Sequence, residues 1–124
     1  MQPTNRRKKN TLRKPIQWPV SSEPTLIVIE VNGKRISCYS IHRETYLRNP
    51  ETDEILRMSE WHNVSLWPTF SALDEDENLE YVLVFPPLPS HWQTFDVWEM
   101  KGSKPMYKAG IKRNKDGVYI IPDK

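Results

Sequence analysis

Short apolar runs alternate with clusters of turn-forming residues along this chain. Thr25–Val31 (TLIVIEV) is β-branched and apolar, Asn32-Gly33 is a favoured two-residue turn, and Lys34–Ile41 (KRISCYSI) returns, so the pattern predicts a hairpin. In the return strand Ile36, Cys38 and Ser40 point one way and Ser37, Tyr39 and Ile41 the other, leaving both faces partly apolar. Tyr46–Arg48 and Ile55–Arg57 predict a second hairpin around the turn formers Asn49–Asp53. A helix over Glu54–Trp61 competes, because Ile55, Met58 and Trp61 recur every third residue, but no convincing cap precedes it.

Leu66–Phe70 (LWPTF) reads as an edge strand, where Pro68 is tolerated, and Ser71–Asn78 as a solvated acidic loop. Leu79–Phe85 predicts a buried strand that Pro86, Pro87 and Pro89 stop, since proline has no N–H for a ladder. Thr94–Met100 follows as an aromatic-rich strand, and Val82, Val84, Phe95 and Val97 are expected in the core. Tyr107–Lys112 and Val118–Ile121, around Asn114–Gly117, predict a last hairpin. About eight short strands with turn signals between them imply an all-β, antiparallel β-sandwich or barrel.

Composition narrows this picture. Eleven prolines against four glycines disfavour long helices and glycine-lined phosphate loops. Cys38 is the only cysteine, so an intrachain disulfide is impossible. No apolar run is long enough for a membrane span. No leader-like core follows the Arg6–Lys9 cluster. A cytoplasmic site fits and is slightly favoured, while an extracytoplasmic domain without disulfides would look the same, so the compartment stays open. The net charge of +2 hides a partition: +6 over residues 1–14, −9 over 15–100 and +5 over 101–124. Residues 1–24, with four prolines and isolated apolar side chains, are expected to be a partly disordered basic arm, although Ile16, Trp18 and Val20 alternate and could add an edge strand or lie across the body. Residues 25–124 are expected to form the sandwich domain.

Two segments carry a family resemblance. Glu44–Leu56 (ETYLRNPETDEIL) and then Glu80–Glu99 (EYVLVFPPLPSHWQTFDVWE) resemble, in that order, small immunoglobulin-like β-sandwich domains common in Bacteroidetes proteins. The resemblance implies an immunoglobulin-like sandwich of accessory character, with no catalytic residues and a possible extracytoplasmic ligand-binding role.

The candidate chemistry is sparse. His42, His62 and His91 are widely spaced and match no metal motif, so no metal or other cofactor is expected. Asp74, Asp76 and Asn78 imitate the start of a calcium loop, but Leu79 stands where that loop needs glycine. Cys38 and His42 lie four apart, with Cys38 read as a packing residue of an apolar strand rather than a nucleophile. No enzymatic activity is expected. Among the tryptophans, Trp67, Trp92 and Trp98 are expected in core or corner packing, with Trp18 and Trp61 the better exposed candidates for stacking a sugar.

The cations make the clearest candidate site. Arg6, Arg7, Lys8, Lys9, Arg13 and Lys14 on the arm, with Lys112, Arg113 and Lys115 near the other end, could hold an anionic partner. The leading functional expectation is a non-enzymatic interaction or assembly module whose partner is another protein. The alternative is a nucleic-acid-associated accessory protein that uses the arm on phosphates.

Overall fold

The computed structural model describes residues 23–99 and 106–122, the side chains of Met106 and Tyr107 excepted. The expected arm, up to residue 22, and its disorder lie outside these residues. Among them there are ten strands and no helix, and so no helix long and apolar enough to cross a membrane. The strands are β1 (Thr25–Asn32), β2 (Cys38–Tyr39), β3 (Tyr46–Arg48), β4 (Ile55–Arg57), β5 (Glu60–His62), β6 (Ser71–Ala72), β7 (Asn78–Phe85), β8 (Thr94–Trp98), β9 (Met106–Lys112) and β10 (Val118–Pro122). They form a four-stranded sheet in the order β10-β1-β7-β5, a second in the order β4-β3-β8-β9, and a small β2-β6 pair. The all-β expectation holds, while the purely antiparallel one does not, because β10 runs parallel to β1.

The β3–β4 hairpin forms where the sequence places it, with Leu47 opposite Leu56. Its loop is closed by Asp53, whose backbone is left-handed at φ 66° and whose N–H donates to the Asn49 carbonyl at 2.8 Å. Glu54–Trp61 is accordingly not helical: it runs through β4 into β5.

Three expectations are corrected. The Asn32-Gly33 turn does not fold β1 back onto its successor. The partners of β1 are β7 and β10, so neither flank is left for a returning strand. Arg35 N and Ile36 N instead donate to the Asn32 carbonyl, leading the chain away from the sheet. Glycine is needed at 33 for another reason: a Cβ there would sit 1.8 Å from the Asp74 carbonyl oxygen, while Gly33 N donates to Glu77 O at 2.8 Å. The last predicted hairpin also opens, since β9 pairs with β8 in one sheet and β10 with β1 in the other. Leu66–Phe70 is a turn with a cis Trp67–Pro68 peptide, and Leu66 makes only an isolated bridge to Ile41.

The two large sheets contribute to one core. Ile27, Ile29, Leu83, Phe85 and Ile121 come from the first and Leu47, Phe95 and Val97 from the second, all nearly sealed from solvent. Tyr119 of β10 sets its ring edge-on to Phe95 of β8, 4.9 Å between centroids at 89°, linking the sheets. Phe95 and Val97 are core residues as expected. Val82 and Val84 are not: the β7 register turns Tyr81, Leu83 and Phe85 inward and leaves those two half-buried on the outer face.

The proline-rich corner between β7 and β8 is fastened at both ends. β7 stops at Phe85, and Thr25 Oγ1 donates to the Pro86 carbonyl at 2.9 Å. Trp92 is fully buried, as expected of a corner residue. The Arg113 guanidinium donates to the carbonyls of Pro89 (2.7 Å), Trp92 (3.2 Å) and Leu88 (3.5 Å). Partial burial pulls its pKa below the ordinary arginine value, and the neighbouring Tyr119 pushes the other way.

Candidate interaction surface

The outer face of the β10-β1-β7-β5 sheet follows from strand register. Residues opposite one another point to the same side, so Val118, Leu26 and Val84 make one row across β10, β1 and β7. Ile120, Val28 and Val82 make the next. The inward neighbours of these residues fill the core, and these two outward rows are aliphatic on three adjacent strands. At the outer edge Ile120 is 61% exposed and Val118 37%, whereas Leu26, Val28, Val82 and Val84 are half-buried. A contiguous apolar patch on a small domain marks an interaction site more often than a scatter of single residues does.

Charge frames the patch. Glu30 and Glu80 lie opposite each other at the Asn32 end, a like-charge pair that a cross-strand ladder normally disfavours. With Asn32, Asn78 and Pro122 they line a groove of about 610 Å³. Glu60 and His62, 3.4 Å apart, border the β5 side. Exposed Lys115 stands at the opposite end, in the turn that leads into β10. There Asn114 Nδ2 donates to the Val118 carbonyl at 2.8 Å, and Gly117, at φ 72°, makes the left-handed turn into the strand.

The cations singled out from the sequence fall into two groups. Arg6, Arg7, Lys8, Lys9, Arg13 and Lys14 lie outside the described residues. Lys112, Arg113 and Lys115 share the β9–β10 connection, where Lys112 and Lys115 are exposed. Arg113 differs from both, because its guanidinium is engaged by the corner carbonyls. Its charge serves the fold.

Other candidates are relocated. Cys38 is exposed rather than packed, because two-residue β2 pairs only with β6 and turns Tyr39 inward to stack on Tyr81 at 5.6 Å. Trp67 is not core: it is 56% exposed, with one face against His42 at 5.7 Å, and Phe70 beyond the cis proline is 51% exposed. Trp98 is half-buried, and Trp61 is half-buried with the Arg43 guanidinium 5.7 Å from its ring centre. Trp18 lies outside the described residues.

The histidines are in three separate places. His42 Nδ1 accepts from Glu44 N at 3.1 Å, His62 faces Glu60, and His91 Nε2 is bonded to Glu54. Among the described residues no group of three or more His, Cys, Asp or Glu side chains could hold a metal ion.

Sequence reasoning missed Val118 and Ile120 as surface residues. Their alternation with Tyr119 and Ile121 marks a strand, yet it cannot show which side of that strand is covered. No protein-family model, curated protein or solved structure matches this chain.

Proposed function

We propose that this chain is a non-enzymatic assembly module, built as an immunoglobulin-like β-sandwich, that docks a protein partner through the outer face and edge of its β10-β1-β7-β5 sheet. The observation that carries the reading is the aliphatic patch Val118–Ile120–Leu26–Val28–Val82–Val84, most exposed where the sheet ends at β10. The sandwich architecture is supported by two four-stranded sheets sharing a core and by consecutive strands that cross between them, β7 to β8 and β9 to β10. A photo-crosslinking residue at position 120 of the full chain, irradiated in the producing cell, is expected to give a discrete protein adduct. The same residue at Lys108, on the edge of the other sheet, is expected to give none. Absence of an adduct at 120 overturns the reading.

A second reading rests on the exposed Lys112 and Lys115, which continue the cationic character of residues 6–14. In it the chain accompanies a nucleic acid through phosphate contacts. Titration of labelled RNA and DNA with the full chain tests it against a full-length variant in which Arg6, Arg7, Lys8, Lys9, Arg13 and Lys14 are all serine. Binding that falls steeply with salt and is lost in the variant supports this reading. Equal binding by both chains, or none, removes it.

A further inference from the structure

We infer that the partner of the β10 edge is a second copy of this chain, added antiparallel, strand against strand, to make one continuous sheet. The inference rests on the assembly reading above and identifies its partner.

The argument begins with which backbone groups of β10 face outward. Leu26 N donates to the Gly117 carbonyl at 2.8 Å, and β1 and β10 run parallel with Leu26 opposite Val118. In such a ladder alternate residues of β10 turn their N–H and C=O toward β1, here Tyr119 and Ile121. Val118, Ile120 and Pro122 therefore turn theirs away, toward the edge that no strand of the described residues occupies. Two of these outward groups are already accounted for. Pro122 has no N–H to offer, and the Val118 carbonyl accepts from Asn114 Nδ2.

A twofold axis through Ile120, perpendicular to the sheet, matches what is left. Ile120 of each copy donates to and accepts from Ile120 of the other. Val118 N–H donates to the Pro122 carbonyl of the second copy. The remaining position of that pair sets the missing proline donor opposite the Val118 carbonyl that Asn114 has satisfied. An edge strand in this register is complementary to itself, as an isologous contact requires. A shift by one residue would face the outward groups of one copy with the side chains' alternate set and lose the match.

Side chains and charge agree with the register. Directly opposed residues share a face, so the rows Leu26–Val118 and Val28–Ile120 continue across the axis into those of the second copy. The antiparallel arrangement brings the turn that carries exposed Lys115 and Asp116 toward the Glu30–Glu80 end of the other copy, with Lys115 the group of opposite sign. β9, the edge of the other sheet, instead carries exposed Lys108 and Lys112, the usual guard against edge pairing. β10 carries no charge within the strand, and its one proline, Pro122, falls opposite a Val118 carbonyl that is already satisfied.

Light scattering on a dilution series of the full chain tests the pairing. A dimer that dissociates on dilution is expected. Ile120→Lys sets a charge on the edge, and Ile120→Pro deletes an N–H that β1 does not use. Each is expected to raise the dimer dissociation constant roughly 30-fold or more, with the circular dichroism of the dilute chain unchanged. In a Cys38→Ser background, Ile120→Cys is expected to form an intermolecular disulfide, since facing residues of this type are about 5.5 Å apart. Val118→Cys is expected not to, because the register separates the two copies of that residue. A chain that remains monomeric at every concentration overturns the inference, as does a dimer indifferent to both Ile120 variants. A monomer that still gives an adduct with a different protein at position 120 overturns self-pairing alone and leaves the assembly reading standing.

Discussion

The two large sheets share one core yet finish their outer faces in opposite ways. On the β4-β3-β8-β9 sheet the outward side chains hold one another. Tyr46 stacks on Trp98 at 6.2 Å with the rings nearly parallel, and the Arg48 guanidinium lies 5.8 Å from the Trp98 ring centre. Arg48 also pairs with Asp53 and reaches Asp96 at 3.7 Å, and Asp96 accepts from Gly110 N at 2.9 Å. On the β10-β1-β7-β5 sheet the central outward positions of β10, β1 and β7 are Val, Leu and Ile, which can only be covered, with Glu30, Glu80, Glu60 and His62 at the border. A face closed by its own polar and aromatic contacts is finished within the monomer. An aliphatic face gains free energy from whatever excludes water from it, at about 25 cal/mol per Å².

The largest effect is expected where the comparison disappears, in the shared core. Phe95→Ala removes the ring that Tyr119 abuts across the sheets, and a loss of about 3–5 kcal/mol in unfolding free energy is expected by urea titration. A loss under about 1 kcal/mol would mean that the sheets do not depend on one another through this contact.

A smaller effect separates the two outer faces. Asp96→Ala removes a nearly buried carboxylate that accepts from Gly110 N and lies 3.7 Å from the Arg48 guanidinium, so a loss of about 1–3 kcal/mol is expected. Ile120→Lys, on the other sheet, is expected to change the stability of the dilute chain by no more than about 0.5 kcal/mol, because that side chain is already in water. Equal losses from the two substitutions would abolish the distinction between a closed face and an open one.

The smallest effect concerns acid. The hydrogen bond from His91 is the main cause that holds the Glu54 carboxyl below its ordinary 4.5, and bonds from Thr52 and Trp92 add to it. A lowered folded-state pKa stabilises the fold above the ordinary value, and that contribution is lost as the pH falls through the folded value. Glu54→Gln is therefore expected to flatten the decline in stability between about pH 5 and 3, slightly, because the group is exposed. Superimposable pH profiles of the two chains would remove Glu54 from the account.

Local chemistry was legible in the sequence wherever neighbours along the chain decide the outcome. The β3–β4 hairpin needs only Tyr46–Arg48, Ile55–Arg57 and the turn formers between them. The stop at Phe85 needs only the prolines that follow. Asn32-Gly33 misled because the same dipeptide suits a tight hairpin and a close backbone approach, and Asp74 decides between them from forty residues away. Of the candidate site, the exposed Lys112 and Lys115 were legible as charges. The engagement of Arg113 was not, since its three carbonyl partners come from a corner more than twenty residues earlier.

The sequence by itself determined that the described residues are all β, where most strands begin and end, and that Phe95, Val97 and Trp92 are inside. Alternation, turn residues and proline act over a few residues, and the information for them is local. Only the tertiary structure decided which strands are neighbours, that β9 and β10 part into different sheets, and which side of β7 and β10 faces water. Those choices depend on pairings between residues as much as 92 positions apart, such as Leu26 with Val118. A side chain's period of two says that one face of a strand is apolar. When both faces are apolar, as in Val82–Phe85 and Val118–Ile121, only the packed core can choose the inner one, and the other is left for a partner.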